Sequence, residues 1–405
     1  MHFYLWNLHG FWQGAILWGV KHIGIFVERQ RSWGRQLCEG VSAFAQSHRD
    51  WTLTMLEAAD FRSRRMLASF DGFISRVPDA ATAAALRRTG RPVADLTCEE
   101  NSHDWFLRGV RQDNAAIGRL AARHLTDHRF TAFAFCGYDG RRFSDERAGA
   151  FRRALGECGF NTITYDCPRS ASRDFDNATA GRERLMSAPD APRLARWLKS
   201  LPKPIAVFCA NDLRAFQVIR ACADQGVDVP NEVAVLGTDN DTLICNFVTP
   251  SLSSIDPNAF ALGVAAAECL ARALEKRPQP RHDKLIPPCD LVTRASTEVY
   301  PVSPPWLSDA LVFIRRNLSR HLSAADVYAA VGRSHTRVDA AFRSKLKTTV
   351  QQEIRTAALA EATRLLKTSD LSIAEIAHRT GFRSPQYFSN VFSATFGHPP
   401  STLRG

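Results

Sequence analysis

The stretch GFRSPQYFSNVFSATFGHPPSTLR, residues 381–404, closes the chain on aromatics, short polar residues and positive charge. It reads as a helix with a defined start. Ser384 suits the cap and Pro385 the first turn, where a missing N–H costs nothing. Phe388, Val391, Phe392 and Phe396 then recur at i, i+3, i+4 and i+8, one apolar stripe on a 3.6-residue period. Gln386, Ser389 and Asn390 occupy the opposite face. Just upstream, LSIAEIAHRTG (371–381) gives a shorter helix. Ser372 and Glu375 form a capping-box pair, Ile373, Ile376 and Ala377 are apolar, and Gly381 ends it. Two short helices about a glycine-bearing turn make a helix-turn-helix.

The same grammar occurs once before, in LSAADVYAAVGRSHTRVDAAFRSKL (322–346). Ser323 and Asp326 repeat the cap, Gly332 sits where Gly381 sits, and Phe342 answers Phe392. Between the units VQQEIRTAALAEATRLLKTS (350–369) offers Ile354, Ala358, Leu365 and Leu366 as the apolar side of a linking helix. Residues 308–404 resemble the DNA-binding domain of AraC-type transcription regulators, which implies seven helices holding two helix-turn-helix units. The motif that carries the resemblance is Gly381-Phe382, Tyr387 to Phe392, Phe396-Gly397, Pro400 and Leu403-Arg404. Two positions depart from it: Ala340 and Ala358 stand where the family usually has basic residues. The helix from Ser384 is expected in the major groove, with Gln386, Ser389 and Asn390 at base edges and Arg383 towards phosphate. In the first unit His335, Thr336, Arg337 and Asp339 hold comparable positions, with Arg333 and Arg343 at the rims. For each of these polar residues the competing reading is a solvated helix face. Phe388 and Phe392 are expected in the core.

Charge agrees with a polyanionic partner. The chain carries 52 Lys and Arg against 41 Asp and Glu, a net +11. Residues 306–405 hold 14 basic and 7 acidic side chains, a net +7 in the last quarter. A compact basic domain attracts nucleic acid, here double-stranded DNA. All ten cysteines precede that domain, with no C-x-x-C pair. They read as reduced, buried thiols rather than a disulfide framework or a zinc site. His124 and His128, four apart, are expected as solvated helix-end residues and no metal is expected. The apolar start MHFYLWNLHGFWQGAILWGV is interrupted by Asn7, His9 and Gln13 and has no basic leader, so it reads as an extension (1–20) rather than a secretory signal or a membrane span.

From Lys21 the chain alternates strand and helix. HIGIFV is followed by a helix over WGRQLCEGVSAFAQS, TAFAFCG by SDERAGAFRRALGECG, and IAVFCA by NDLRAFQVIRACADQG, before EVAVLGT. Such alternation implies parallel sheets with flanking helices, and its length requires two lobes. Ordered segments including RQLCEGVSAF, VRQDNAAIGRLAARHL, ERAGAF, CANDLRA, GTDND and LSSIDPNAFALG make this part resemble the two-lobed periplasmic-binding-protein fold of LacI-type, sugar-responsive repressors. The expected fold is therefore an α/β effector domain over 21–295, a Pro- and Ser-rich linker over 296–307, and an all-α DNA-binding domain over 308–405. The combination, over nearly the whole chain, resembles the xylose-operon regulators.

Ligands of open parallel sheets lie beyond the carboxyl ends of the strands. Asp95 ends RPVADL, Arg147 follows TAFAFCG, Asn211 follows IAVFCA and Asp239 follows EVAVLGT. Aspartate accepting from two hydroxyls, arginine donating as a fork and asparagine doing one of each suits a sugar. Trp33, after the first strand, is a candidate to stack on a sugar ring. In the LacI-type resemblance Arg147, Asn211 and Asp239 take effector-contacting positions. Each also has a structural reading: Asn211 as a helix cap, Asp239 as the holder of its own loop, Arg147 in a surface ion pair with Asp145 or Glu146, and Asp95 and Trp33 in packing.

The expectation is a cytoplasmic DNA-binding transcription regulator answering to a small sugar, D-xylose or a similar pentose. It works as a homodimer, without a cofactor, with RNA polymerase a further candidate partner. A solute-binding receptor for sugar uptake is the alternative, but it has no use for a basic helical tail. An enzyme finds no support, because the chain lacks G-x-G-x-x-G, a P-loop and a nucleophile elbow.

Overall fold

The computed structural model describes residues 19–403 apart from 49, 78, 97–106, 108–109, 169–187, 189 and 280–281. Residues 1–18 of the expected extension, and Arg404, lie outside the described residues. The chain divides into two compact units, Met1–Arg111 with Ala259–Ile286, and Gln112–Asn258 with Pro287–Gly405.

The first unit is built on strands β1 (Lys21–Phe26), β2 (Trp51–Met55), β3 (Gly72–Ser75) and β4 (Val93–Asp95), paired in the order β2-β1-β3-β4 and all parallel. Helices α1 (Ser32–Ser47), α2 (Arg64–Leu67) and α3 (Ala80–Arg87) interleave with them. After an excursion through the second unit the chain returns as α9 (Ala259–Leu274) and β11 (Lys284–Ile286), the latter paired with β5 (Val110–Gln112). Helices on the faces explain why the strands read as apolar runs rather than alternating ones. Ile23, Ile25 and Ile74 are fully buried against Leu37 and Val41 of α1 and Leu270 of α9.

In the second unit β6 (Phe133–Cys136), β7 (Thr162–Thr164), β8 (Ile205–Cys209), β9 (Val233–Thr238), β10 (Ser253–Ile255) and β12 (Leu291–Val292) pair in the order β12-β10-β9-β8-β6-β7. All pairs are parallel except β10 with β12. Helices α4 (Asn114–Asp127), α5 (Arg142–Glu157), α6 (Ala191–Ser200), α7 (Asp212–Asp224) and α8 (Thr242–Phe247) connect them. The register places Cys136 opposite Cys209 and Phe208 opposite Leu236, so β6, β8 and β9 finish at one edge. Six of the described cysteines are buried, whereas Cys158 and Cys289 are exposed and Cys38 is half-buried, so the expectation of buried thiols holds for part of the set.

The terminal residues fold as α10 (Pro305–Arg316), α11 (Ala324–Val331), α12 (His335–Ala341, continued by a wider turn over Phe342–Leu346), α13 (Val350–Thr368), α14 (Ile373–Arg379) and α15 (Pro385–Phe396). Short 3-10 turns lie at Leu318–Arg320 and Pro400–Leu403. The described residues thus hold six α-helices where the family resemblance implies seven. Both expected capping boxes form, Ser323 with Asp326 and Ser372 with Glu375, and Ser384 caps α15 with Pro385 in its first turn. Gly381 must be glycine on two counts: its φ is 77°, and a Cβ there would lie 2.1 Å from the Leu318 carbonyl. Phe342, Phe388 and Phe392 are fully buried with Val327, Val338 and Ile376. Phe396 departs from the expected stripe. It is 43 % exposed, because α15 runs past the core and ends at Gly397, leaving the ring to rest on Phe392 at 4.5 Å.

The structure adds to one further expectation and corrects another. The expected linker over 296–307 is packed: Ser296, Thr297, Val299 and Tyr300 are buried, and α10 begins at Pro305. Val299 belongs to the core of the second α/β sheet and Tyr300 to that of the helical domain, so one peptide bond steps from core to core. His124 and His128 are not solvated. His128 Nδ1 donates to the His124 carbonyl at 2.8 Å, and its ring stacks on Tyr300 at 5.0 Å and 15°. His124 Nε2 meets Thr297 Oγ1 at 3.0 Å, and that hydroxyl donates onward to Ser253 Oγ at 2.7 Å. Burial pulls both imidazoles down, His128 to about 4, so each is neutral near pH 7.

Candidate functional site

In the second unit three of the expected residues come together where β6, β8 and β9 end. Arg147, on the second turn of α5, is 3 % exposed, which overturns its surface ion-pair reading. Its Nε donates to Asn114 Oδ1 at 3.0 Å, and its Nη1 to the carbonyl of Ala210, the residue before Asn211, at 2.5 Å. The guanidinium also lies 5.3 Å from the centre of the Phe143 ring. Burial lowers the Arg147 pKa, while Asp239, Asp212 and Glu146 act in the opposite sense.

Asn211 caps α7: its Oδ1 accepts from the Arg214 amide at 2.9 Å and from the Tyr138 hydroxyl at 3.4 Å. The acceptor is thus spent on the fold, and the amide nitrogen is the end of this side chain suited to donate to a ligand. The cap reading and the binding reading are compatible, since they use different atoms. Asp239 follows β9 with φ at 115°, and Asn240 continues at 45°. Positive φ at a non-glycine residue costs on the order of 1–2 kcal/mol, and two in succession persist only where the surroundings hold them.

In the first unit Trp33 lies in the first turn of α1, with the Arg76 guanidinium 6.0 Å from its ring centre. Arg76 pairs with Glu28 at 2.8 Å, and Glu28 Oε2 is buried without a hydrogen-bond partner. The Arg76 and Arg31 charges hold the Glu28 carboxyl below its usual range against the opposing effect of burial. Asp95 ends β4, level with Ser75 of β3 and so next to Arg76. Glu28, Arg76, Tyr138 and Phe143 escaped the reading of the sequence. Glu28, Arg76 and Tyr138 each follow a strand end, the signal that could have found them, but a charged or aromatic residue in a loop has no pattern of its own; Phe143 lies in the first turn of α5.

On the helical domain Arg333, His335, Thr336, Arg337, Arg343, Arg383, Gln386 and Asn390 are exposed. Two expected base readers differ. Asp339 is half-buried and accepts from the Tyr328 hydroxyl at 2.9 Å, which ties α12 to α11. Ser389 is half-buried beside Phe388 and Phe392, while Tyr387, one residue from Gln386, is 47 % exposed.

Two capped helix-turn-helix units on one shared core follow an α/β part with polar side chains gathered at its strand ends. Residues 122–297 match the periplasmic binding protein-like domain family and residues 327–405 a helix-turn-helix domain family. The chain thus joins a periplasmic-binding-protein-like domain to a helix-turn-helix domain of the AraC type, the arrangement of relatives that are transcription regulators and not enzymes.

Its relatives narrow the class. It is 28 % identical to the xylose operon regulatory protein of Escherichia coli (strain K12), over 94 % of this chain and 96 % of that one. It is 25 % identical to the protein of the same name from Haemophilus influenzae, over 94 % and 97 %. Among solved structures it is similar to the xylose-binding transcription activator xylR, with TM-score 0.57, 26 % identity, and 95 % of this chain and 97 % of that chain covered. A LacI family transcriptional regulator from Enterococcus faecium with bound ribose shares the fold of the α/β part, with TM-score 0.54 and 22 % identity over 70 % of this chain and all of that one. Among the described residues no helix is long and apolar enough to cross a membrane.

Proposed function

We propose that the α/β domain captures a small sugar, D-xylose or a similar pentose, and that capture changes how the helix-turn-helix units of a cytoplasmic homodimer engage operator DNA. The observation that carries this reading is the convergence of Arg147, Asn211 and Asp239 at the ends of three adjacent strands, with Arg147 joined to Ala210 by a hydrogen bond. A buried fork donor, an amide and a carboxylate match the alternating donors and acceptors of a polyol. Trp33 and Asp95 of the first unit are further proposed sugar contacts, with Arg76 in contact with the Trp33 ring and paired with Glu28. The relatives named for xylose support a pentose over other small ligands.

On DNA, Gln386, Asn390, His335, Thr336 and Arg337 contact base edges, and Arg333, Arg343 and Arg383 contact phosphate. Ser389 reaches the groove only from the side of α15, and Asp339 acts by holding α12 in place. RNA polymerase is the partner through which a bound regulator of this kind would act on transcription. A sugar shifts the DNA response only by its difference in affinity between the two states of the effector domain.

The test is a gel shift at low salt on the promoter region upstream of the protein's own gene cluster, with and without D-xylose. We expect a retarded complex whose midpoint moves on adding D-xylose but not D-glucose. No complex under either condition would refute the regulator reading on this DNA. A complex indifferent to D-xylose, L-arabinose and D-ribose would refute the pentose reading.

A further inference from the structure

The loop that presents Asp239 leaves β9 through two successive residues of positive φ, Asp239 at 115° and Asn240 at 45°. The Asp239 amide donates to the Ile255 carbonyl at 2.9 Å, Arg294 Nη2 donates to Asn240 Oδ1 at 2.9 Å, and a buried carboxyl group holds the next two amides from below. Asp212 is 1 % exposed at the start of α7. Its Oδ2 accepts from the Asp241 amide at 2.8 Å and from the Cys245 thiol at 3.4 Å. Its Oδ1 accepts from Ser254 Oγ at 2.5 Å, and Ser254 Oγ in turn accepts from the Asn240 amide at 3.0 Å. Two consecutive loop amides therefore end on Asp212, one directly and one through a serine. Asp241 passes the restraint on by capping α8 at the Leu243 and Ile244 amides.

The approach is close by construction. A Cβ on Gly237, the penultimate residue of β9, would lie 2.2 Å from Asp212 Oδ1, so only glycine lets the carboxyl group reach this position. Asp212 also follows Asn211 directly, so one dipeptide places an amide at the strand ends and a clamp beneath the neighbouring loop. Burial, together with the Asp239 charge, raises the Asp212 pKa well above the usual carboxyl range.

We propose that Asp212 is the positioning residue of the effector site: through the Asp241 amide and Ser254 it holds the Asp239–Asp241 loop in the left-handed conformation that presents Asp239 to the sugar, without touching the sugar itself. This rests on the reading of Asp239 as a sugar contact. Asparagine at 212 can keep both links by accepting from the Asp241 amide and donating to Ser254 Oγ, whereas alanine keeps neither.

The test uses the full chain and four substitutions: Asp212→Ala, Asp212→Asn, Ser254→Ala and Asp239→Asn. D-xylose affinity is measured by calorimetry, amide hydrogen exchange is followed over residues 239–241, and DNA association without sugar is recorded at low salt. We expect Asp212→Ala and Ser254→Ala each to weaken D-xylose about tenfold, the size typical of coupled neighbours, and to speed exchange at Asn240 and Asp241. Asp212→Asn should recover most of the loss, and DNA association should not change. Combined with Asp239→Asn, Asp212→Ala should add little further loss. The proposal is overturned if Asp212→Ala and Ser254→Ala leave exchange at 239–241 unchanged, or if Asp212→Ala weakens D-xylose equally with and without Asp239→Asn. Should Asp212→Ala fail to fold, Ser254→Ala carries the same comparison. If Asp239→Asn binds D-xylose like the parent, the site reading has failed while faster exchange in Ser254→Ala still reports the clamp.

Discussion

Arg147 concentrates several demands on one side chain: it is buried, it donates to Asn114 and to the Ala210 carbonyl, and it lies over Phe143. Lysine retains the charge but not the planar fork, and cannot serve Asn114, Ala210 and a ligand in one geometry. Arg147→Lys should therefore weaken D-xylose binding by about 1.5–3 kcal/mol, the range for hydrogen bonds to a charged group, in a calorimetric titration. Asp239→Ala should abolish the sugar-induced shift in DNA mobility while leaving low-salt DNA association intact, since that association depends on phosphate contacts elsewhere. A surviving shift would remove Asp239 from the site. His128 gives a test by pH. Its folded pKa, about 4, lies below the ordinary 6.5, so the unfolded chain binds the extra proton between these values. Stability attached to the neutral ring is complete above pH 6.5 and is lost as pH falls towards 4, on the order of 3 kcal/mol in all. His128→Phe keeps a ring against Tyr300 and removes the titration. The difference in unfolding free energy between pH 7 and pH 5 should therefore be smaller in His128→Phe than in the parent, and an equal difference would show that another group controls the slope.

At the scale of elements, α15 separates packing from recognition. Phe388 and Phe392 face inward at 0 % exposure while Gln386 and Asn390 face out. Asn390→Ala and Gln386→Ala should each cost about 1–3 kcal/mol of specific binding if they pair with a base, with an unchanged melting temperature. Arg383→Ala should weaken binding to every sequence alike and reduce the salt slope by about one. Phe388→Ala should instead unfold the domain, since emptying a buried phenylalanine site costs about 3–5 kcal/mol. This division was legible in the sequence because capping residues and a 3.6-residue period are local signals. The same holds for the doubled capping boxes and for the strand-helix alternation. Ser389, Asp339 and Phe396 were misplaced for a shared reason: their exposure depends on what packs beside the helix. Periodicity gives a face, whereas Tyr328 engaging Asp339, or the core ending before Phe396, is a tertiary fact. Within the proposed effector site the strand-end rule points to Arg147, Asn211 and Asp239 but not to Asp212. A buried carboxyl group serving a neighbouring loop leaves no trace in hydrophobic pattern.

At the scale of the whole molecule the segment 296–307 was read as a tether from its proline and serine content, yet composition does not report whether a chain is packed. Val299 and Tyr300 lie in adjoining cores, and the seat between the second sheet and the helical domain is polar as well as apolar. Arg129, just beyond α4, pairs with Glu353 in the first turn of α13 at 2.9 Å; Arg364, further along α13, pairs with Asp290; and Arg316 of α10 pairs with Glu298. The helix that links the two helix-turn-helix units is thus held at two points by the part of the chain that carries Arg147, Asn211 and Asp239. A movement of that lobe on sugar binding would act on both units through these two ion pairs and the helix between them. Glu353 is nearly buried, with its side chain 11 % exposed, so removing its partner strands a carboxylate and opposing it with a second one repels the helix. Arg129→Glu should keep D-xylose affinity and low-salt DNA association but remove the dependence of one on the other. The double change Arg129→Glu with Glu353→Arg should restore it by rebuilding the pair with reversed charges. The measurement is the ratio of DNA affinities with and without D-xylose in the three proteins. A ratio in Arg129→Glu equal to that of the parent would mean that the sugar signal does not pass through this seat.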